Sequence, residues 1–295
     1  MVRLNLGFAT ALVMVAGVSA SASGSALPDN SKERFSLFDP TPDRLLRDLT
    51  TDRPDTTESP FTVDAGRIQI ETNLFGLSRS RADADGTATD TYDVAATNFR
   101  LGLTHRSEIN VVARPFGVVR TKPNDPAEAT RRSGVGGLDI RAKWNFWGND
   151  AFETPGATAL GLLPYVNLPT DRSNGVSPEH VEGGLIVPFA VKLSDKFGLG
   201  LNTGVHLARN ASTAGYHPEY LNSASLSYEW SERLGTYYEV ATRFGTRDPL
   251  GHIVMLGTGV TYKLNKNLQL DAGVNFGVTR ASDRINPFVG LAARF

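Results

Sequence analysis

The chain contains no cysteine in 295 residues. That excludes a disulfide framework and any thiolate site, and it closes the lipoprotein route, which needs an acylated cysteine. Long apolar runs are missing too. Past the N-terminus nothing approaches the roughly 18 to 20 apolar residues of a spanning helix, so any membrane protein made from this chain has to cross as a β-barrel. Methionine is scarce at 3 residues while glycine reaches 29, a balance that suits turns and close-packed strands better than a helical core. Neither sign of charge is in surplus, and a formal net charge of -1 gives nucleic acid no electrostatic purchase.

What is present begins with an address. Arg3 precedes a largely apolar run over residues 4–18, broken by Asn5, Thr10 and Gly17, which passes into small residues with cleavage points after Ala20, Ala22 or Ala26. This is the pattern of a secretory signal peptide rather than of an uncleaved anchor, and with no cysteine it fits a bacterial outer-membrane destination. The expected organisation is a signal peptide over 1–26, a periplasmic N-terminal segment over 27–63 and a barrel over 64–295. The middle segment is polar, rich in Pro and Asp, and carries a weakly amphipathic stretch at 43–49 that suggests a short helix.

Beyond Gly66 the hydrophobic period is two. Leu268, Leu270, Ala272, Val274, Phe276 and Val278 alternate with Gln269, Asp271, Gly273, Asn275, Gly277 and Thr279, one face lipid-like and the other wet. The same alternation marks 138–146 and 197–207. Further strands are expected near 67–77, 92–103, 108–119, 157–168, 181–193, 219–230, 234–244, 252–264 and 285–295, about twelve in all, an even number as closed bacterial barrels have. Connections at 78–91, 120–133, 170–180, 210–217, 245–251 and 281–284 fall outside and are mostly long, whereas 104–107, 194–196, 231–233 and 265–267 are tight inner turns. The connection at 148–156 is a long inner exception.

A soluble sandwich would hide one face of each strand in a shared dry core. Here the wet faces carry Arg and Lys, and Trp144, Tyr228, Trp230, Tyr238, Phe244 and Tyr262 near strand ends resemble interfacial girdles. The fold class is therefore all-β, a transmembrane antiparallel up-and-down barrel. Its last strand places Val289, Leu291, Ala293 and the terminal Phe295 on one face, with Gly290 five positions before the end. That ending resembles the signal by which the barrel-assembly machinery recognises outer-membrane proteins.

The most distinctive string runs Thr51-Asp52-Arg53-Pro54-Asp55-Thr56-Thr57-Glu58-Ser59-Pro60, followed by Phe61-Thr62-Val63 and then by Gly66, Gln69 and Glu71 of the first strand. At this position it resembles the phenol meta-degradation pathway transporter family of outer-membrane β-barrels. The resemblance implies an outer-membrane barrel moving small organic compounds, and it carries no catalytic or binding residues. Read physically, Asp52, Arg53, Asp55 and Glu58 mix charges in a turn-forming segment. The plainer reading is that it caps the periplasmic end and leads into the first strand; the sharper one is that it folds into the barrel mouth as a plug or gate.

Parity places Arg67, Arg100, Arg114, Arg141, Lys143, Lys192, Arg243, Lys263 and Arg294 inward, against Glu71, Asp139, Glu182, Glu229, Glu239 and Asp271. Such charges make either a water-filled path with field-based selectivity or a salt-bridged filling. Inward glycines, among them Gly198, Gly200, Gly204, Gly257, Gly259, Gly273 and Gly277, read as leaving space, which favours a narrow pore with a mild anion preference. No cofactor or metal is implied: the five histidines show no metal-ligand spacing. The expected function is passive uptake of small solutes, possible substrates being aromatic compounds or organic acids. A surface hydrolase using His206, which lies mid-strand and faces inward, and a closed structural or adhesive barrel are the alternatives. Expected partners are outer-membrane lipid, the assembly machinery and a small-molecule solute, with oligomeric state open.

Overall fold

The computed structural model describes residues 31–210, 213–245 and 251–295; the expected signal peptide, with Ala20, Ala22 and Ala26, lies outside the described residues. Among these residues no helix is long and apolar enough to cross a membrane. Fourteen strands form one sheet: β1 (Ile68–Arg79), β2 (Ala88–Thr104), β3 (Ser107–Ala113), β4 (Phe116–Lys122), β5 (Thr130–Gly134), β6 (Leu138–Trp147), β7 (Thr158–Leu168), β8 (Glu182–Lys192), β9 (Phe197–Arg209), β10 (Tyr216–Glu229), β11 (Leu234–Gly245), β12 (Ile253–Asn265), β13 (Leu268–Gly277) and β14 (Ile285–Arg294).

Two pairs of these are halves of single staves. β3 and β4 both pair with β2, and the break between them falls at Pro115, which has no N–H to give to a ladder. β5 and β6 are likewise parted at Val135, Gly136 and Gly137, where Gly136 donates its N–H to Arg114 O at 2.8 Å instead. Twelve staves result, every pairing is antiparallel, and β1 pairs with both β2 and β14, so the sheet closes on itself. Closure removes the open edges that an apolar solvent would not tolerate.

Burial runs opposite to that of a soluble protein. Glu71, Arg100, Glu108, Asp139 and Lys143 are each 1 % exposed, while Trp144, Tyr220 and Leu256 are 50 to 51 % exposed on the outer face. An apolar belt of this extent cannot face water; in lipid each large side chain is stabilised by about 1.5–3 kcal/mol relative to water. Trp144, Trp147, Phe197, Trp230, Tyr262 and Phe295 are exposed at the ends of their strands on the side where the chain closes, which is the aromatic girdle of one membrane interface. Phe295 itself is tied by its backbone: its N–H donates to Ile68 O at 2.8 Å and its carbonyl accepts from Ile68 N at 3.3 Å.

Strands β1, β2, β4 and β5 run further into the outer connections than periodicity predicts. The reason is Asp90, 1 % exposed, which accepts two hydrogen bonds from Arg79 at 2.8 and 3.1 Å and another from Lys122, tying three neighbouring staves above the belt. The expected helix at 43–49 is reduced to a single 3-10 turn, Asp43–Leu45, after Pro42 and without a side-chain cap; one turn has no length over which to recover the cost of nucleation.

Candidate functional site

Residues 32–66 close the periplasmic end and send their middle portion into the lumen. The closing part is anchored by Asp64, 1 % exposed in its side chain, which faces Lys32 at 3.5 Å, Arg47 at 3.5 Å and Arg294 at 3.9 Å. Arg47 also donates to Asp150 at 2.8 Å and to the carbonyls of Thr62 and His105 at 2.8 and 2.6 Å. The long inner connection at 148–156 thereby acquires a purpose. Asp150 holds Arg47, Asn149 donates to Thr62 Oγ1 at 2.7 Å, and the ring of Phe152 meets Phe61 edge-on at 4.9 Å. It is a clasp on the N-terminal segment.

Inside the lumen the acidic and basic residues of the 51–60 string each find a wall partner. Asp52 accepts from Lys143 Nζ at 2.6 and 2.8 Å and lies 3.2 Å from Arg100. Arg53 donates to Asp271 at 2.7 and 3.3 Å. The backbone N–H groups of Thr56 and Thr57 and the hydroxyl of Thr57 all donate to Glu239, at 3.0, 2.7 and 2.5 Å. Glu58 accepts from Arg141 at 2.7 Å, and its backbone exchanges hydrogen bonds with the Asn202 amide at 2.6 and 2.9 Å. Arg100 binds the wall together behind the segment, donating to Glu71 at 2.7 Å and to Glu108 at 3.0 Å through each of two nitrogens.

Charge sets the protonation of the segment. Burial works to raise the Asp52 carboxyl, but the cations of Arg100 and Lys143 outweigh it and hold the group well below the usual carboxylate range. Asp55 has no such cation. Burial, reinforced by the Glu239 charge, pushes it up to about 7 against a hydrogen bond from Ser225. Glu58 is also raised, by burial and then by the Asp52 charge, although Arg141 opposes.

Of the residues placed inward by parity, Glu71, Arg100, Asp139, Arg141, Lys143, Glu239 and Asp271 line the stretch of lumen around residues 51–60, and Arg114 donates to Asp139 at 3.3 and 3.4 Å. Glu182 meets His206 at 3.2 Å and Arg243 binds Glu219, both nearer the outer end. Arg67 and Lys192 belong instead to the periplasmic rim, donating to Thr41 O at 2.7 Å and Glu153 O at 2.6 Å. Arg294 joins them there, Lys263 is half-buried and Glu229 exposed at the same end. Of the glycines read as leaving space, Gly200 makes room for the segment, as does Gly290, whereas Gly198, Gly204, Gly257, Gly259, Gly273 and Gly277 lie against the strands and connections beside them. A Cβ at Gly200 would lie 3.2 Å from Thr57 Cγ2, and one at Gly290 would lie 2.2 Å from Arg53 Nη2. Gly290, expected in the assembly signal, therefore also receives Arg53.

Glu108 and Glu219 are inward as well and buried; Glu108 shares the parity of Arg114 and Glu219 that of Glu229, so the signal is present at the strand starts. One row of cross-strand partners links much of the site: Arg294, Gln69, Arg100, Asn110, Arg141, Tyr165, Gly184, His206, Glu219. Because barrel strands tilt against the axis, the row climbs from the periplasmic rim, past residues 51–60, to the outer vestibule.

A closed barrel with an apolar belt, a charged lumen and its own N-terminal segment seated inside defines a transmembrane β-barrel of the bacterial outer membrane. The chain belongs to the family described as "Putative MetA-pathway of phenol degradation", which it matches over residues 51–295. Its fold resembles that of an outer-membrane channel from Pseudomonas putida F1, at 14 % identity and a TM-score of 0.62 over 83 % of this chain and all of that one. Weaker likenesses are the KdgM porin, at 12 % identity and TM-score 0.43 over 78 % and 99 % of the two chains, and the CymD monoaromatic hydrocarbon channel, at 7 % and 0.41 over 78 % and 88 %. No curated protein sequence matches it.

Proposed function

We propose that the protein is an outer-membrane channel for passive uptake of small organic compounds and that residues 51–60 are its gate. The observation that carries this reading is the pairing of Asp52, Arg53, Thr57 and Glu58 with wall residues in the lumen. A segment bound by individual hydrogen bonds to charged and polar wall groups can leave and return, since water replaces each bond as it opens. A structural barrel has no use for such a removable filling. The family description points to aromatic compounds as the solute class.

A hydrolytic role has less support. His206 has one ring nitrogen engaged by Tyr165 Oη at 3.0 Å and the other by Glu182 at 3.2 Å, so neither nitrogen is turned toward a serine nucleophile. The test is single-channel conductance of the native chain against a chain lacking residues 27–60, each shown to be folded by heat-modifiable gel migration. The gate predicts a several-fold larger and steadier conductance on deletion. An unchanged conductance from a stable barrel would leave the segment as a cap only.

A further inference from the structure

The last charged residue of the gate is only half bonded. Glu58 meets Arg141 through Oε1 and Nη1 at 2.7 Å, and Glu58 Oε2 and Arg141 Nε are buried without a hydrogen-bond partner among the described residues. The two-bond fork that a guanidinium and a carboxylate form when they meet squarely is not made. Arg141 is fixed independently of Glu58, because its Nη2 donates to Asp139 at 3.2 Å. Next to it in the row stands Asn110, 0 % exposed, with both amide atoms unpartnered among the described residues; buried side-chain amides left this way are uncommon. On the other side of Arg141 is Tyr165. Its ring lies across Gly184, where a Cβ would come within 2.8 Å of Tyr165 Oη, and stacks on His206 with centroids 5.9 Å apart at 8°.

We propose that Arg141, Asn110 and Tyr165 form a seat for a small aromatic carboxylate, whose carboxylate displaces Glu58 from Arg141 and so begins release of the gate. The proposal rests on the channel reading above and names the class of solute that opens it. The incoming carboxylate takes Nη1 of Arg141 from Glu58 with one oxygen and turns its other oxygen to Asn110. Asn110 Nδ2 donates to the same group as Glu58 withdraws, and the ring lies against Tyr165. Glu58 yields readily because burial and the Asp52 charge disfavour its ionised form where it sits, and withdrawal returns it to water.

The test is isothermal titration of the folded, detergent-solubilised full chain with benzoate, and with benzamide as the neutral isostere, at equal ionic strength. Benzoate is expected to bind at least tenfold more tightly than benzamide. Asn110→Ala and Arg141→Lys, the second keeping the charge but not the planar guanidinium, each weaken benzoate at least tenfold and weaken it more than they weaken benzamide. Glu58→Gln, which removes the competing carboxylate, tightens benzoate and carries the test if the other two variants do not fold. Equal affinity for the two ligands, or no response of benzoate to these substitutions, overturns the seat. Liposome uptake run in parallel separates the two ideas. Uptake with no preference for benzoate removes the seat and keeps the channel, whereas selective benzoate binding with no uptake of any small solute removes the channel and keeps the seat.

Discussion

Asp52→Asn tests the gate at its centre. Arg100 loses least by the change, since it keeps Glu71 and Glu108. Lys143 loses most: its ammonium, 0 % exposed, is left with Glu108 at 3.7 Å as its one anionic partner among the described residues. Stranding a buried charge costs about 3–5 kcal/mol, and with Glu108 nearby we take the lower end, about 3 kcal/mol, as the effect. That penalty falls on the docked state alone, because withdrawal of the segment exposes Lys143 to water. At about 1.4 kcal/mol per tenfold, the open-to-closed ratio in single-channel recordings rises by roughly 100-fold. Lys143→Met in the same chain removes the stranded cation, so the double variant returns to within about tenfold of the native ratio, a coupling that a double-mutant cycle reads directly. An open-to-closed ratio unmoved by Asp52→Asn, or a double variant more open than either single one, would refute the reasoning.

Three further outcomes are expected. Asp55 is raised to about 7 when docked and titrates near its ordinary value when the segment is withdrawn, so its contribution to docking is full below about pH 4 and is lost as pH rises to about 7; closed-state occupancy falls across that window, and Asp55→Asn flattens the dependence of conductance on pH. Gly200→Val pushes on Thr57, whose Cγ2 already lies 3.2 Å from the first added carbon, and overpacking of about 1–3 kcal/mol shifts recordings toward the open level with no loss of folded yield. Removal of Phe295, a residue 67 % exposed on the outer surface, lowers the amount of inserted barrel in outer-membrane fractions, while protein that does insert transports solute at the native rate.

The barrel was legible because alternation is a local property. Leu270 against Asp271, or Ile140 against Arg141, states which face meets lipid without reference to any other strand. The inward charges followed from the same parity, and so would Glu108 and Glu219 had the phase been carried to the strand starts. The partners of those charges were not legible. Asp64, Arg47 and Asp150 belong to a turn, an extended segment and a connection, none of them periodic, and they meet only because the barrel brings position 47 to position 150. The glycines show the limit most plainly. Gly200 reads as empty space on its own strand, and its meaning depends on Thr57, far away in the chain and seated against it. The charged string at 51–60 had the right composition for either a cap or a plug, and only the positions of Lys143, Asp271, Glu239 and Arg141 around the lumen decide where it sits.

The most direct measurement uses the absence of cysteine. Thr57 Oγ1 and Ser223 Oγ are 2.8 Å apart, so Thr57→Cys with Ser223→Cys places two sulfurs where a disulfide of about 2.05 Å closes with little movement, and no native thiol competes. Reconstituted in liposomes and oxidised, this variant is expected to take up benzoate at no more than a tenth of its reduced rate, with dithiothreitol restoring uptake. Equal uptake by the oxidised and reduced protein, with the cross-link verified by mass spectrometry, would contradict the gate.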